Sequence, residues 1–412
     1  MYNSFYNQKY DFKEITYSKS FPNLHKYPAA MLPQIGIEIL NELNIKNGKL
    51  LDPYCGSGSS FISALESNIY NFEGYDYNPL AILICKVKFT KIDINMLIKE
   101  YNLIKNKINS KNYFDSVKDK LYDYIPTFKN MEYWYSENVK IKLALLKCII
   151  SDIKNNDNIK DFILLTFLET VRTFSYTRNN EFKLYRIKNE DIISFNEDVN
   201  SYFLTRLMNN IEFYKNYYYK YFNDKINAAF YNEAFSNKEK KFNVVLTSPP
   251  YGDSKTTVAY GQFSFFANLW LGNNDARKID NMLMGGKNKK QLLNDSIISE
   301  QIYNINKIDK KRALEVSSFY IDLRDSIKIV SNSILDGGYA IYIVGNRIVK
   351  NEYLNTDKFI AESFERENLK HLFTYKRIIS NKRMPLKNSP TNKKGSLSNT
   401  MTEEFIVVLR KS

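Results

Sequence analysis

The chain has 412 residues, of which 44% are hydrophobic and 25% are charged. This composition is typical of a folded protein with one large or two ordinary domains, and it excludes a disordered chain. The sequence contains no run of about 18 uninterrupted apolar residues, so it does not predict a membrane span. The first residues lack the basic start and apolar stretch of a signal peptide, so we expect a cytoplasmic protein with no membrane partner.

The charge and the inventory of metal ligands narrow the function classes. Lys and Arg number 59 against 45 Asp and Glu, which gives a formal net charge of +14. A surplus of this size favours a polyanionic partner, nucleic acid first, although an AT-rich genome would also enrich lysine. The chain has 3 cysteines, no CxxC pair and 2 histidines. We therefore expect no metal site, which excludes zinc deaminases, zinc fingers and most histidine-based hydrolases.

Strand patterns alternate with helical patterns at both ends of the chain. In chain order, the strands are predicted at 49–52, 71–76, 242–246, 341–344 and 405–409, and helical patterns follow the first two. This alternation predicts an α/β fold with a mostly parallel sheet and helices on both faces.

The middle of the chain has a different pattern. From about residue 96 to residue 225 the apolar residues are spaced as in helices, and a block of this length is too large for a loop. We therefore predict a helical insert at 96–225, between segments 1–95 and 226–412.

The turn after the first strand contains an acid and two glycines. Gly56 and Gly58 let the backbone approach a ligand closely, but the third glycine of a dinucleotide fingerprint is missing. Asp52, which opens the turn, would repel a phosphate and suits an ammonium group, such as the methionine end of S-adenosylmethionine. Asp76 ends the next strand, where a carboxylate can accept hydrogen bonds from both ribose hydroxyls. The alternative is an ordinary Gly/Ser turn with a surface acid.

A second motif, Ser248-Pro249-Pro250-Tyr251, follows the strand at 242–246. Consecutive prolines fix the backbone and remove two N–H groups, so that Ser248 Oγ and the Pro249 carbonyl can accept hydrogen bonds from an exocyclic amine. Tyr251 offers an aromatic face on which an extruded base can stack. We also expect residues 254–262 to line the base pocket. The alternative is a proline-terminated strand with a core tyrosine.

Three segments combine basic residues with loop-like sequence, at 173–183, 285–290 and 376–394. Phosphate contacts explain these segments if the partner is nucleic acid, whereas solvated loops are the alternative. The side chains that we select as DNA contacts are Arg178, Lys183, Lys287, Lys289, Lys382 and Arg383.

The two motifs together resemble those of the DNA amino-methyltransferases, which methylate the exocyclic nitrogen of cytosine (N4) or adenine (N6) with S-adenosylmethionine. Segments 25–33, 73–79 and 335–346 resemble the family's N-terminal cofactor-flanking motif, its second-strand acid motif and its late strand. The resemblance covers roughly residues 20–90 and 226–412. It implies a Rossmann-like, S-adenosylmethionine-dependent methyltransferase sheet with a large, mostly helical insertion.

The resemblance also implies roles for segments and residues. Segment 1–95 would hold the cofactor-binding half, and 226–412 the catalytic half with basic DNA-contacting loops. The insert at 96–225, alone or with residues from about 252 to 330, is the candidate target-recognition region. A further cofactor contact is expected near the third strand, from Asn232 or Glu233. The predicted cofactor-binding residues are Asp52, Tyr54, Gly56, Gly58, Asp76, Pro28 and Asn232. The predicted catalytic residues are Ser248, Pro249, Pro250 and Tyr251.

The target base follows from the residue that opens the second motif. Adenine enzymes usually have Asp or Asn where this chain has Ser248, so the serine favours cytosine N4, with adenine N6 as the alternative. Methylation at cytosine C5 needs a thiolate nucleophile, normally in a Pro-Cys after a comparable strand, and this chain has none there. The amine must therefore attack the methyl group directly, which requires neither a metal nor a strong base.

We therefore expect a site-specific DNA methyltransferase that acts on duplex DNA, of the kind found in restriction-modification systems with a cognate endonuclease. An RNA methyltransferase with the same core is one alternative. A non-catalytic DNA-binding subunit with a degenerate methyltransferase fold is another. Monomer and homodimer both stay open.

Overall fold

The computed structural model describes residues 2–15, 21, 23–154, 156–178, 181–222, 225–237, 239–253, 258–273, 275–379 and 402–412, and the backbone of 387–388 and 398–399. Its strands are β1 (Ser4–Tyr6), β2 (Lys49–Asp52), β3 (Asn71–Tyr75), β4 (Asn227–Tyr231), β5 (Phe242–Thr247), β6 (Ile334–Val344), β7 (Arg347–Val349), β8 (Glu352–Leu354), β9 (Leu369–Ile378), β10 (Lys387–Asn388), β11 (Ser398–Asn399) and β12 (Glu403–Lys411).

Helices account for most of the remaining regular structure. They are α1 (Pro33–Glu42), α2 (Ser59–Glu66), α3 (Pro79–Phe89), α4 (Ile94–Asn109), α5 (Lys111–Val117), α6 (Met131–Trp134), α7 (Glu137–Ser151), α8 (Asp157–Thr173), α9 (Asn189–Ile193), α10 (Val199–Phe213), α11 (Tyr260–Trp270), α12 (Ile279–Met282), α13 (Ser299–Ile308), α14 (Lys310–Ser331) and α15 (Thr356–Glu365). Shorter 3₁₀ or π turns occupy Gln8–Tyr10, Lys118–Tyr124, Tyr214–Tyr218, Tyr219–Tyr221 and Ala276–Lys278.

Eight strands form one sheet in the order β1-β9-β12-β6-β5-β2-β3-β4. The pairs β5–β6, β5–β2, β2–β3 and β3–β4 are parallel, whereas β12 runs antiparallel to both of its neighbours. The prediction of an α/β fold with a mostly parallel sheet and a large helical insertion is confirmed. Each strand predicted from the sequence lies within an observed strand or extends one residue past its end.

Alternate residues of each central strand face opposite sides of the sheet. Leu50 and Val244 belong to one hydrophobic cluster, while their neighbours Leu51 and Val245 belong to the other. The first cluster continues into the helices between residues 94 and 213, and the second contains α14 and α15. Because both faces are covered, the central strands read as nearly continuous apolar runs.

The order of the strands creates a crevice at one edge of the sheet. The chain leaves β2 toward β3 on one side, whereas β5 lies beside β2 on the other side. In open α/β sheets, ligands bind at the carboxyl ends of the strands where the strand order reverses in this way. The residues that follow β2, β3, β4 and β5 therefore meet at the edge where a ligand is expected.

Among the described residues, no helix is long and apolar enough to cross a membrane.

Candidate active site

The glycine turn after β2 is held by the carboxylate of Asp52. Its Oδ1 accepts hydrogen bonds from the Tyr54 backbone N–H at 3.0 Å and from Thr247 Oγ1 at 2.6 Å. Ser60 Oγ, in the first turn of α2, donates to the other oxygen. Burial raises the pKa of Asp52 to about 6. Asp52 therefore fastens the turn to the helix that follows it and to the end of β5.

Gly56 has a left-handed backbone, with φ of +47°. Its N–H donates to Asp76 Oδ2 at 3.0 Å, so the turn is also tied to the end of β3. From behind, the buried ammonium of Lys88 donates to the Ser57 carbonyl at 2.9 Å. Gly58, at φ +81°, leaves no room for a side chain, because an added Cβ would lie 2.6 Å from the ring of Phe89.

Asp76 presents a half-buried carboxylate at the tip of β3. Its second oxygen accepts a hydrogen bond from the Asn78 N–H at 2.8 Å, and burial raises the pKa of Asp76 to about 6. Asn232, just after β4, donates from its side chain to the Asp76 backbone carbonyl at 3.0 Å. Asn232 thus supports the strand tip from outside, whereas its neighbour Glu233 lines the cavity described next.

A cavity of about 700 Å³ opens at this edge of the sheet. Of the residues selected from the sequence, its walls contain Pro28, Asp52, Tyr54, Gly56, Asp76, Ser248, Pro250, Lys287 and Lys289. Its volume lies within the range of about 300 to 1,000 Å³ that is typical of small-molecule sites. The cavity therefore joins the glycine turn and the Ser-Pro-Pro-Tyr segment, which are nearly two hundred positions apart in the sequence.

The cavity walls suit a polar ligand with an aromatic part. The hydroxyls of Ser57 and Ser59 are buried and have no hydrogen-bond partner within the described residues, and both serines line the cavity. Tyr27 and Tyr260 also line it, with their rings stacked at a centroid distance of 6.0 Å. With the carboxylates of Asp52 and Asp76, these groups fit S-adenosylmethionine, which carries an ammonium, ribose hydroxyls and a purine.

The opposite wall of the cavity was not predicted from the sequence. It is formed by one face of α14 and by the loop that carries Lys287 and Lys289. The residues of α14 that line the cavity are Asp322, Asp325, Ser326 and Ile329. Their spacing is that of a single helical face, which the sequence does contain, but the sequence does not indicate that this face meets the cavity. Tyr54 bridges the two walls, with its hydroxyl 2.5 Å from Ser326 Oγ.

The two lysines of that loop that line the cavity have different surroundings. Lys289 Nζ lies 2.7 Å from Asp322 and 2.9 Å from Asp325, so its charge is compensated within the protein. Lys287 is exposed at the rim of the cavity. The Gly285 N–H donates to Asp322 at 2.8 Å, which fixes the start of the loop on α14.

The Ser-Pro-Pro-Tyr segment leaves β5 directly at the cavity. Ser248 and Pro250 line it, while Pro249 is buried. Tyr251 packs behind this wall, where its hydroxyl accepts a hydrogen bond from Ser248 Oγ at 3.2 Å and donates to Glu404 Oε1 at 3.0 Å. Burial, followed by the charge of Glu404, raises the pKa of Tyr251 well above its ordinary value. Base stacking on Tyr251 stays a prediction.

Within the predicted segment 173–183, residues 176–178 pair antiparallel with residues 185–187 beside α11, and we call these two stretches the hairpin; residues 179 and 180 lie outside the described residues. Backbone hydrogen bonds join Tyr176 to Ile187 and Arg178 to Tyr185. Buried Arg172 donates to the carbonyls of Phe263 and Glu181 at 2.8 and 2.7 Å, which docks the hairpin on the helix whose first residue, Tyr260, lines the cavity.

The predicted DNA contacts are unequally exposed. Arg178 of this hairpin is exposed and Lys183 is half-buried. Lys382 and Arg383, and residues 254–257 of the expected base pocket, lie outside the described residues. Within the described part of the chain, no group of three or more His, Cys, Asp or Glu side chains could hold a metal ion.

Three curated proteins are similar to the chain. The type II methyltransferase M.MvaI of Kocuria varians is 37% identical over 424 residues, which cover 97% of this chain and 91% of that protein. The type II methyltransferase M.MjaII of Methanocaldococcus jannaschii is 29% identical over 153 residues, 36% of this chain and 28% of that protein. The type I restriction enzyme MjaIX methylase subunit of the same organism is 31% identical over 110 residues, 25% of this chain and 19% of that subunit. No family model matches the chain.

Proposed function

Because this chain belongs to the type II DNA methyltransferases, we propose that it methylates the exocyclic N4 amine of cytosine in duplex DNA, using S-adenosylmethionine, as the modification enzyme of a restriction-modification system. The observation that carries the proposal is the single cavity lined by both Gly56 and Ser248. A methyl donor held at the glycine turn and a base held at Ser248 would share that space.

The cofactor would be held by the residues around the glycine turn. Asp52 and Asp76 place negative charge beside the positions proposed for the ammonium and the ribose hydroxyls, and the Tyr27–Tyr260 pair offers an aromatic wall for the purine. When bound, S-adenosylmethionine would supply an electrophilic methyl group on a positively charged sulfur; transfer to the amine nitrogen would break the carbon–sulfur bond, leave a neutral thioether and release one amine proton to solvent.

Ser248 and the Pro249 carbonyl would activate the amine. The lone pair of a cytosine amine is delocalised into the ring, which makes the nitrogen a weak nucleophile. Two acceptors beside its N–H groups favour a pyramidal nitrogen and stabilise the positive charge that builds on it during the transfer. The remaining acceleration would come from alignment of the two reactants in one cavity.

The Ser248 side chain supports cytosine over adenine, and a nucleoside analysis tests the choice. Unmethylated duplex DNA is incubated with methyl-labelled S-adenosylmethionine and then digested to nucleosides. We expect the label in N4-methylcytosine. Label in N6-methyladenine would instead support the adenine alternative. A protein that binds DNA but methylates no base would be a non-catalytic subunit. If added transfer RNA abolished DNA methylation by competition, the protein would be an RNA methyltransferase.

A further inference from the structure

Ser248 begins a chain of hydrogen bonds that leads away from the cavity. Ser248 Oγ donates to the Tyr251 hydroxyl at 3.2 Å, and this hydroxyl donates to Glu404 Oε1, on β12, at 3.0 Å. Arg377, on the neighbouring strand β9, donates from Nε to the other Glu404 oxygen at 2.8 Å. We call Ser248, Tyr251, Glu404 and Arg377 the hydroxyl relay.

The far end of the relay fixes the direction of every hydrogen bond in it. The side chains of Arg377 and Glu404 are only 7% and 15% exposed, and the carboxylate partner of a guanidinium in an ion pair can only accept hydrogen bonds. The Tyr251 hydroxyl has one proton and gives it to Glu404, so its oxygen can only accept from Ser248. Ser248 therefore gives its single proton to Tyr251, which leaves only its lone pairs to interact with a group in the cavity that Ser248 lines.

We propose that Glu404 and Arg377 are positioning residues that make Ser248 a pure hydrogen-bond acceptor toward the target amine. The proposal rests on the proposed function and adds to it a reason for the orientation of the serine proton. Without the relay, the Ser248 hydroxyl could turn its proton toward the amine nitrogen and occupy the lone pair that must attack the methyl group. Neither Glu404 nor Arg377 lines the cavity, so both would act through Tyr251.

The N-terminal strand completes the relay. Arg377 Nη1 donates to the Tyr10 carbonyl at 2.8 Å, and the Ile378 N–H donates to Asp11 Oδ1 at 2.8 Å. Strand β1 pairs in parallel with β9, which places this segment at the edge of the sheet. The segment 4–11 thus anchors Arg377, the last member of the relay, although it lies far from Arg377 in the sequence.

A double-mutant cycle on Tyr251 and Glu404 tests the proposal. Wild type, Tyr251→Phe, Glu404→Gln and the double variant are compared in single-turnover methyl transfer to duplex DNA at saturating S-adenosylmethionine. In Glu404→Gln the amide can donate to Tyr251, which reverses the direction of the relay. For Glu404→Gln we expect the single-turnover rate constant to fall by about 10- to 100-fold, while the steady-state KM for DNA and for the cofactor, measured separately, changes less than twofold. The double variant should be no slower than Tyr251→Phe alone, because Glu404 acts only through the hydroxyl.

The neighbouring residue Glu403 provides a matched control. Glu403 also pairs across to β9, with Lys376 Nζ at 3.2 Å, but it has no bond to Tyr251. Glu403→Gln should keep the wild-type rate. Denaturant unfolding of the four proteins gives a readout independent of activity, and the two single substitutions should again be non-additive. Cofactor binding by calorimetry verifies that each variant has folded.

The outcomes that would contradict the relay differ from those that would contradict the function. Additive effects of the two substitutions in an active enzyme would overturn the relay and leave the proposed function standing. The relay would also be overturned, and the function again left standing, if Glu403→Gln slowed transfer as much as Glu404→Gln. A wild-type protein that transfers no methyl group to DNA would overturn the proposed function, and the purpose assigned to the relay with it.

Discussion

The two walls of the cavity are built in different ways. The glycine-turn wall comes from a short stretch of sequence and is held by backbone N–H groups, such as those of Tyr54 and Gly56, that donate to Asp52 and Asp76. The opposite wall is assembled from a loop and one face of α14, joined by ion pairs between Lys289 and two aspartates. The first wall depends on local backbone geometry, and the second depends on long-range packing.

This difference indicates how cofactor binding and DNA recognition would be divided between the two walls. A wall fixed by buried backbone hydrogen bonds is preorganised, which suits a cofactor common to many enzymes. A wall made of side chains on a loop and a helix can differ between enzymes that act on different DNA sites. Ser248 lines the same cavity as both walls, so substitutions at Ser248 and on either wall should separate chemistry, cofactor binding and DNA binding.

The largest effect is expected at Ser248. Ser248→Ala removes the side-chain acceptor that we propose for the target amine and leaves the Asp52 and Asp76 contacts intact. Loss of one hydrogen bond that forms in the transition state costs about 100- to 1,000-fold in rate. We expect a fall of that size in single-turnover methyl transfer, with S-adenosylmethionine affinity within twofold of wild type by calorimetry. Ser194→Ala, an exposed serine of the insert, is the control, and equal losses in both variants would contradict the assignment of Ser248.

The next effect concerns cofactor affinity and its pH dependence. Burial raises the pKa of both Asp52 and Asp76 to about 6, so each carboxylate is charged above that pH and becomes neutral below it. A ligand that needs the charged form binds fully at pH 8 and loses affinity as the pH falls through 6, at most tenfold per pH unit for each group. We expect calorimetry to show this loss between pH 7 and pH 5.

Asp76→Asn should weaken cofactor binding about 10- to 100-fold at pH 8, because a charged acceptor is lost and the new amide N–H groups face the N–H of Gly56 or Asn78. The decline between pH 7 and pH 5 should become shallower, since only Asp52 then titrates. Asp161→Asn, at a partly buried acid of the insert, should change neither the affinity nor the pH profile. An unchanged pH profile in Asp76→Asn would contradict the role of this carboxylate.

The sequence could predict the glycine-turn wall of the site but not the wall formed by the loop and α14. Asp52, Gly56 and Asp76 could be placed because a strand, a tight turn and a helix follow one another directly, and the parallel order puts the strand ends at one edge. Glu404 and Asp322 could not be placed from the sequence. Glu404 lies on an antiparallel strand and Asp322 on a helix face, and the partners of both elements are set only by long-range packing.

One detail of the fold, the start of β6, was missed for a local reason. Strand β6 begins at Ile334, several residues before the predicted strand, because the segment containing Gly337 and Gly338 resembles a turn in the sequence. In the structure it continues as strand, with Gly337 at φ +75° and with an irregular register against β5. An added Cβ at Gly338 would lie 2.8 Å from the Asn243 carbonyl oxygen, so close strand packing explains that glycine.

A smaller effect distinguishes backbone strain from close approach at the glycine turn. Gly56→Ala forces a left-handed conformation at φ +47° and puts a Cβ 3.3 Å from the ring of Tyr27. Gly272→Ala forces a similar conformation at φ +89° with nothing within 4 Å. Each should lower the free energy of unfolding by about 1 to 2 kcal/mol in denaturant titrations. Only Gly56→Ala should also weaken S-adenosylmethionine binding, by a few-fold, and equal binding losses would show that strain alone is responsible.

The smallest effect contrasts an exposed cation with a compensated one. Arg178 is exposed on the hairpin beside α11, whereas the charge of Lys289 is shared with Asp322 and Asp325. If Arg178 contacts a phosphate, Arg178→Ala should weaken DNA binding a few-fold and lower the slope of log affinity against log salt by about 0.9. Lys289→Ala should leave that slope unchanged, because its charge is already neutralised within the protein. Titrations of duplex DNA at several salt concentrations measure both slopes. A larger change in Lys289→Ala would mean that DNA displaces the two aspartates, and that the α14 wall rearranges on binding.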